Sequence, residues 1–267
     1  MTGIPIDLAR VVSDVRVGAP LVHCITAAVS MNLVADAVLA AGARPMMTET
    51  AAEAPAMDAI ADALLVNLGS LSADGAAGIE PTVAVARLDA RPWVLDPAAV
   101  GVALTRTALA ARLLTDHPAV VRGNASEVLA LAGRGTGGRG ADATDAADAA
   151  LDAALALARQ YGCVVAVSGA VDLITDGTRI VRVHNGHPLL TRVTGTGCSL
   201  GALVAACAAV ADPLVAALTA TVWLGLAGER AAARSAWPGS FRVALIDELA
   251  ALTPADVATG ARFEEAP

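Results

Sequence analysis

The chain has 267 residues, 56% of them hydrophobic and 2% aromatic, with a formal net charge of −8 at pH 7 and a pI near 4.9. This length is sufficient for one large α/β domain with a well-buried core, so we expect a single domain over residues 1–267. The negative charge repels a polyanion and the few aromatic side chains offer no base-stacking surface, which argues against a nucleic-acid-binding protein.

Apolar β-branched segments alternate with alanine-rich segments from about residue 20 onward, which is typical of a parallel sheet with helices on both faces. The predicted strands are residues 21–25, 44–47, 63–67, 92–96, 119–122 and 163–168. The predicted helices between them are residues 30–41, 55–61, 72–88, 105–115, 125–132 and 144–160. A hairpin with strands 171–175 and 179–184, turning at Asp176-Gly177, should follow. Helices 198–211, 213–234 and 241–252 are predicted after it.

The first 18 residues have a helix-like pattern without a basic leader and an apolar run, so we expect a cytoplasmic protein. The longest apolar runs, 200–211 and 214–228, are too short to span a bilayer and are expected to be buried helices. The four cysteines are scattered and form no Cys-x-x-Cys pair, which predicts reduced thiols rather than a zinc site or a disulfide framework.

A glycine-rich turn, Thr-Gly-Thr-Gly-Cys-Ser-Leu-Gly at residues 194–201, leads directly into an apolar helix. The backbone amides of Gly195, Thr196 and Gly197 can turn inward beside the positive end of the helix dipole, which favours an anion site. Cys198 lies at the mouth of this helix, where we expect its thiol to have a lowered pKa. The alternative is an ordinary helix start with Cys198 as a small buried hydrophobic residue.

Polar side chains stand at the carboxyl ends of three predicted strands, where open parallel sheets bind ligands. Asp96 ends strand 92–96 and Ser168 ends strand 163–168. Between them, Arg122 can reach a phosphate oxygen, and Asn124 and Glu127 can hold water around Mg²⁺ from the first turn of a helix. Alternatively, Asn124 and Glu127 form a capping box.

An anion site, carboxylates suited to Mg²⁺ and a phosphate-reaching arginine together predict phosphoryl transfer from a nucleotide to a small hydroxyl compound. Neither a dinucleotide fingerprint nor a Gly-x-Ser-x-Gly elbow with triad partners is present. The glycine-rich segment 133–140 is expected at the surface, either as a plain connector or as a flap near the nucleotide.

Several of these segments together resemble the hydroxyethylthiazole kinase family, thiamin-salvage enzymes of the ribokinase-like superfamily. The most specific are Arg-Gly-Asn-Ala-Ser-Glu at residues 122–127 and Gly-Thr-Gly-Cys at residues 195–198. The others are residues 21–26 (LVHCIT), 41–45 (AGARP), 66–71 (VNLGSL) and 93–101. The resemblance extends from about residue 20 to residue 252.

The resemblance implies a ribokinase-like three-layer α/β/α fold with a mostly parallel central sheet, ATP as co-substrate with Mg²⁺, and a homotrimer with active sites between subunits. It places Arg122, Asn124 and Ser168 at the ATP, and Asp96 with Glu127 at the Mg²⁺–phosphate region. Cys198 stands where other ribokinase-like kinases have a catalytic aspartate. The residues implied at the thiazole pocket are Ala27, Val29, Met47, Gly195 and Cys198.

The sequence departs from the family pattern mainly on the substrate side. Ala27 replaces an asparagine that lies in the thiazole pocket of relatives, and Asp36 and Ala170 replace a common asparagine and a common glutamate. Loss of an amide from a substrate pocket alters discrimination between alcohols. A kinase for another heteroaromatic alcohol, such as a hydroxymethylpyrimidine, and a non-catalytic nucleotide- or thiazole-binding module are therefore the alternatives. If the protein is a kinase, our hypothesis is that the turn amides stabilise the phosphoryl transition state and that acid–base chemistry at Cys198 contributes less to catalysis.

Overall fold

A computed structural model describes residues 6–135 and 147–266 of the chain. Its strands are β1 (Leu21–Ile25), β2 (Arg44–Met46), β3 (Ala63–Asn67), β4 (Trp93–Asp96), β5 (Val120–Asn124), β6 (Val164–Ser168), β7 (Asp172–Thr175), β8 (Ile180–Val183) and β9 (Phe263–Ala266). Its helices are α1 (Leu8–Gly18), α2 (Met31–Ala40), α3 (Ala54–Asp58), α4 (Ala73–Leu88), α5 (Leu104–Leu114), α6 (Ala125–Leu131), α7 (Leu151–Tyr161), α8 (Thr196–Ala208), α9 (Pro213–Arg234), α10 (Pro238–Ala251) and α11 (Pro254–Gly260). Short 3₁₀ helices cover Ala147–Ala150 and Pro188–Arg192.

The nine strands form one sheet in the order β2-β1-β3-β4-β5-β6-β7-β8-β9. Strands β1 to β6 are parallel, whereas β7, β8 and β9 add to the edge in antiparallel orientation. The carboxyl ends of six strands therefore meet along one edge, which is where sheets of this type bind ligands.

Helices cover both faces of the sheet. One buried cluster joins α1, α2 and α8 to α11 to the sheet, and the other joins α3 to α7 to its opposite face. Consecutive residues of β3 alternate between the clusters, Ala63 and Leu65 in the first and Leu64 and Val66 in the second, as the two-residue period of a strand requires. The predicted three-layer α/β/α architecture is confirmed.

Most predicted elements are present in the structure, although helices 55–61 and 241–252 are observed as Ala54–Asp58 and Pro238–Ala251, and the 3₁₀ helix Pro188–Arg192 was not predicted. All six predicted parallel strands and the hairpin are present, with ends shifted by one or two residues. The prediction omitted β9, since the sequence Phe-Glu-Glu-Ala has exposed acids and forms a strand only by pairing with β8. It also omitted α11, although Thr253 and Asp256 form a capping box there.

Two predictions fall partly outside the described residues. Helix 144–160 is observed as a 3₁₀ turn and α7, and residues 144–146 are not described. Of the glycine-rich segment 133–140, only 133–135 are described, so its assignment as connector or flap stays a prediction. The single domain over residues 1–267 likewise stays a prediction.

The two long apolar runs form α8 and the first part of α9, which are buried in the core as predicted. In the described part of the chain, no helix combines the length and apolar character needed to cross a bilayer. All four cysteines are free thiols, and Cys24, Cys163 and Cys207 are buried.

Candidate active site

Four polar side chains lie at the carboxyl edge of the sheet on the face covered by α8 and α9. They are Asn67, Asp96, Arg122 and Ser168, from β3, β4, β5 and β6. The residue two positions before each of them belongs to the cluster on that face, so strand alternation directs all four side chains the same way. Neighbouring strands therefore assemble a polar group from residues that are far apart in sequence.

Arg122 connects this group through its guanidinium. Its Nη1 lies 3.3 Å from Asp96 Oδ2, and its Nη2 donates a 2.8 Å hydrogen bond to Ser168 Oγ. Its Nε is buried and has no hydrogen-bond partner among the described residues. A guanidinium fixed in this way is suited to an oxyanion such as a phosphate, because its position is set before the ligand arrives.

Asp96 is almost fully buried, and burial raises the pKa of its carboxyl group to about 6. The charge of Arg122 opposes this increase, while the negative charge of Glu127 adds to it. Because the negative charges of Asp96 and Glu127 repel each other, this part of the site favours a cation between them or nearby.

Glu127 is held at the start of α6. Its Oε2 accepts from the Asn124 backbone N–H at 2.9 Å and its Oε1 from the Ala99 backbone N–H at 3.0 Å. In return, Asn124 Oδ1 accepts from the Glu127 N–H at 3.0 Å and from the Ser126 hydroxyl at 2.7 Å. The capping-box alternative is confirmed, and each Glu127 oxygen keeps a lone pair for a water molecule.

The donor set formed by Asp96 and Glu127 fits Mg²⁺. This ion prefers oxygen ligands, keeps several waters and is usually bound by one or two carboxylates plus substrate phosphates. The described residues include no group of three or more His, Cys, Asp or Glu side chains arranged around a metal position. Mg²⁺ at this edge would therefore need water and phosphate oxygens to complete its coordination.

The amino end of α8 faces the same group. Gly195 caps the helix with a φ of +95°, and the first intrahelical bond runs from Ser199 N to Gly195 O at 2.8 Å. The amides of Thr196, Gly197 and Cys198 precede this bond, so the helix leaves them available to a ligand. The N-cap residue, Gly195, has no side chain that could accept from them.

Two glycines of α8 show how closely this helix approaches Asp96 and Arg122. A Cβ built on Gly197 would lie 2.8 Å from Arg122 Nη1, and one built on Gly201 would lie 3.7 Å from Asp96 Oδ2. The glycine-rich turn, Asp96 and Arg122 thus converge in space, as the sequence analysis expected. Three free amides beside a buried arginine form a site for an oxyanion.

We expect Gly195→Ala to lower the free energy of unfolding by about 2 kcal/mol or more and to reduce kcat. An L side chain is strained at this φ, and its Cβ would lie 2.8 Å from Ser30 Cβ, which cannot rotate away. Urea unfolding and steady-state kinetics measure the two effects. Gly162→Ala is the matched control, because Gly162 also has a positive φ, +64°, but open space around its Cβ position. Equal losses for both variants would contradict the packing argument.

Cys198 does not have the lowered pKa expected from its place at the helix start. Burial raises the pKa of the thiol, and the negative charge of Asp96 raises it further. A hydrogen bond with Ser30 and the positive charge of Arg122 act in the opposite direction without reversing the shift. The expectation of a lowered pKa is wrong because the sequence showed the helix dipole but neither the burial nor the nearby acid.

The residues expected at the thiazole pocket differ in how exposed they are and in what they contact. Ala27 is buried, and its carbonyl accepts a 3.0 Å hydrogen bond from the Ser30 hydroxyl, which brings this turn against Gly195. Met47 follows β2 and packs partly buried against the same cluster as Cys198. Val29, in contrast, is 71% exposed in the single chain.

Two residues at this edge, Asn67 and Asp172, were not among the predicted site residues. Asn67 pairs with Asp96 across β3 and β4, and its buried Nδ2 has no hydrogen-bond partner in the described residues. Asp172 accepts a 2.8 Å hydrogen bond from the Gly169 N–H, and burial raises its pKa to about 6 against the charge of Arg122. Asn67 ends a predicted strand just as Asp96 does, so the strand-end rule could have identified it.

The fold agrees with that of known kinases. A structure of hydroxyethylthiazole kinase from Pyrococcus horikoshii superposes with a TM-score of 0.90 at 37% identity and covers 97% of this chain and 99% of that chain. A ribokinase-like superfamily protein from Enterococcus faecalis gives a TM-score of 0.61 at 13% identity, with 86% of each chain covered. The predicted ribokinase-like fold is confirmed.

The sequence comparison identifies the family. A sequence model described as the hydroxyethylthiazole kinase family matches residues 12–255. The hydroxyethylthiazole kinase of Cereibacter sphaeroides is 52% identical over 248 residues, which cover 93% of this chain and 95% of that protein. The fold and the family match lead to one assignment: this chain belongs to the hydroxyethylthiazole kinase family.

Proposed function

We propose that the protein transfers the γ-phosphoryl group of ATP to the primary hydroxyl of hydroxyethylthiazole. The observation that carries this proposal is the convergence of the free α8 amides with Arg122 and Asp96 at the carboxyl edge of the sheet. The names of the relatives supply the alcohol.

The amides of Thr196, Gly197 and Cys198 would hold the transferring phosphoryl group. Negative charge spreads over its equatorial oxygens in the transition state, and fixed N–H donors stabilise that charge without reorganisation. Arg122 would contact the phosphates of ATP from the adjoining side, with Ser168 orienting the guanidinium through its 2.8 Å hydrogen bond. Asn124 would contribute by holding Glu127 in place.

Asp96 and Glu127 would hold Mg²⁺, directly or through water. When bound, Mg²⁺ neutralises phosphate charge and helps to align the phosphates for in-line transfer. The carboxylates of this chain set the position of that positive charge: burial fixes Asp96, and two backbone N–H groups fix Glu127.

Cys198 is a protonated thiol at rest, so we assign it a small acid–base contribution. Cys198→Ala should therefore lower kcat by less than about tenfold, because the backbone amide of residue 198 is retained. Steady-state kinetics at saturating ATP and alcohol measure this, with Cys198→Asp as the comparison. Loss of all turnover in the alanine variant, without recovery in the aspartate variant, would show that the amides are not the larger contribution.

The alcohol itself is tested by direct comparison of substrates. Ala27 has no side-chain amide, which favours a kinase for a different heteroaromatic alcohol as the second candidate. ADP release should be measured with hydroxyethylthiazole, with hydroxymethylpyrimidine and without alcohol. Phosphorylated thiazole supports the proposal, and turnover with the pyrimidine alone supports the second candidate. Tight ATP or thiazole binding by calorimetry without a phosphorylated product would instead indicate a binding module.

The proposal further includes a homotrimer with active sites between subunits. It also includes a cytoplasmic location, where ATP is available. Large apolar side chains near the amino ends of α2 and α10 are exposed in the single chain, including Val29 at 71% and Trp237 at 76%. A partner subunit that covers Val29 would give it the role at the alcohol pocket that its exposure prevents in one chain. Light scattering should give a mass three times the 26.5 kDa of the chain.

A further inference from the structure

A buried histidine lies under the loop that carries Met47. The His23 imidazole and the Asp58 carboxylate are almost completely inaccessible, with side-chain exposures of 0% and 1%, and His23 Nδ1 lies 3.0 Å from Asp58 Oδ1. The other ring nitrogen, Nε2, lies 2.7 Å from the backbone carbonyl oxygen of Thr48. The ring therefore connects α3 to the segment that follows β2.

At Nε2, the partner of the His23 ring can only accept a hydrogen bond. A carbonyl oxygen has no hydrogen to give, so Nε2 must donate to Thr48. On the other side of the ring, Nδ1 lies beside Asp58, whose Oδ2 is 3.5 Å from the guanidinium of Arg91. The geometry thus requires a proton on Nε2, while Asp58 orients the ring through its contact with Nδ1.

The loop that His23 contacts is fixed at two further points. Ser72 donates a 2.9 Å hydrogen bond to Glu49 Oε1. A Cβ on Gly78 would lie 2.0 Å from the Glu49 carbonyl oxygen, so only glycine allows α4 to approach the loop this closely. Residues 48 and 49 are therefore held by β1 and by two contacts from the α4 region, directly beside Met47.

We infer that His23 is a positioning residue for the alcohol site: its imidazole, oriented by Asp58, donates through Nε2 to the Thr48 carbonyl and so fixes Met47 beside the substrate. The inference rests on the proposed function and on the placement of Met47 at the thiazole pocket that the family resemblance implies. His23 acts through the backbone of the loop and does not itself contact either substrate. Its removal should affect the alcohol site and leave the ATP site unchanged.

His23→Leu removes both hydrogen bonds and should raise the KM for the alcohol by about tenfold or more, because the partly buried Thr48 carbonyl loses its donor. The KM for ATP should change by less than about twofold, since Arg122 and the α8 amides do not contact His23. His23→Gln offers one N–H to Thr48 and should recover part of the alcohol affinity. Equal increases in both KM values, or an unchanged alcohol KM in a folded variant, would overturn the inference.

Asp58→Asn is the matched control for the charge. The asparagine amide can donate to Nδ1 while Nε2 still donates to Thr48, so the alcohol KM should stay within about threefold of wild type. Nitrogen-15 NMR of the whole wild-type protein should show a protonated Nε2 for His23, assigned by comparison with His23→Gln. In Asp58→Asn this nitrogen should stay protonated. An unprotonated Nε2 in wild type would overturn the inference.

Met47→Ala separates this inference from the proposed function. If it leaves the alcohol KM unchanged, the placement of Met47 at the thiazole is wrong, and the role of His23 is overturned with it. If it raises the alcohol KM while the His23 variants do not, only the positioning role fails. Should neither His23 variant fold, His23 is a general core residue and the positioning role is overturned.

Discussion

Replacement of Arg122 by methionine should reduce kcat/KM for ATP by about 10²–10³-fold, because the variant loses a prepositioned cation at the phosphates. Methionine retains an apolar stem in the space between β5 and α8, so packing against Gly197 is largely kept. The loss should appear in steady-state kinetics with varied ATP at saturating alcohol. Asp96 would then lack its cation 3.3 Å away, and the acid limb of the pH profile should move above pH 6.

Arg122→Lys tests whether geometry or charge alone is required. Lysine restores a positive charge but cannot contact Asp96 and Ser168 with two nitrogens of one planar group. We expect the activity of Arg122→Lys to exceed that of Arg122→Met by less than about tenfold. Full activity in Arg122→Lys would show that only the net charge at this position matters. Unchanged kinetics in Arg122→Met would remove Arg122 from the ATP site.

Asp96→Asn should lower kcat by about 10³-fold, because the amide cannot provide the negative charge that holds Mg²⁺ at the phosphates. Excess Mg²⁺ should recover part of this loss. Stability should change by no more than about 1 kcal/mol, because burial already makes the charge of Asp96 unfavourable in the folded state. Activity assays over a range of Mg²⁺ concentrations and urea unfolding measure the two effects. A strong loss of stability with retained activity would contradict a metal role.

The pKa of Asp96 also fixes the sign of the pH dependence. The folded-state value of about 6 is above that of the unfolded chain, so ionisation of Asp96 lowers the free energy of unfolding as the pH rises from about 4 to 6. Activity should change in the opposite direction and fall as the pH drops through 6. Added Mg²⁺ should shift this midpoint downward, because the ion favours the carboxylate. A profile independent of Mg²⁺ would indicate that another group titrates.

The active-site edge was largely predictable from local sequence. A residue that ends a buried strand must lie at the carboxyl edge of a parallel sheet, and this rule located Asp96 and Ser168. The glycines before α8 indicated free amides, and the Asn-x-x-Glu spacing indicated the capping box. Asn67 follows from the same rule, although the sequence analysis did not include it among the site residues. Asp172 does not, because it begins the antiparallel strand β7 instead of ending a parallel strand.

The sequence alone determined the alternation of strands and helices, the buried character of α8 and α9, and the glycine-rich start of α8, because these depend on spacing within short segments. The tertiary structure decided the protonation of Cys198 and the connection of His23 to Thr48. Both depend on groups more than 20 residues away in the chain, namely Asp96 and Asp58, and on burial that no local pattern encodes. Desolvation and charge act through space, so only the folded arrangement fixes which acid lies beside which ring or thiol.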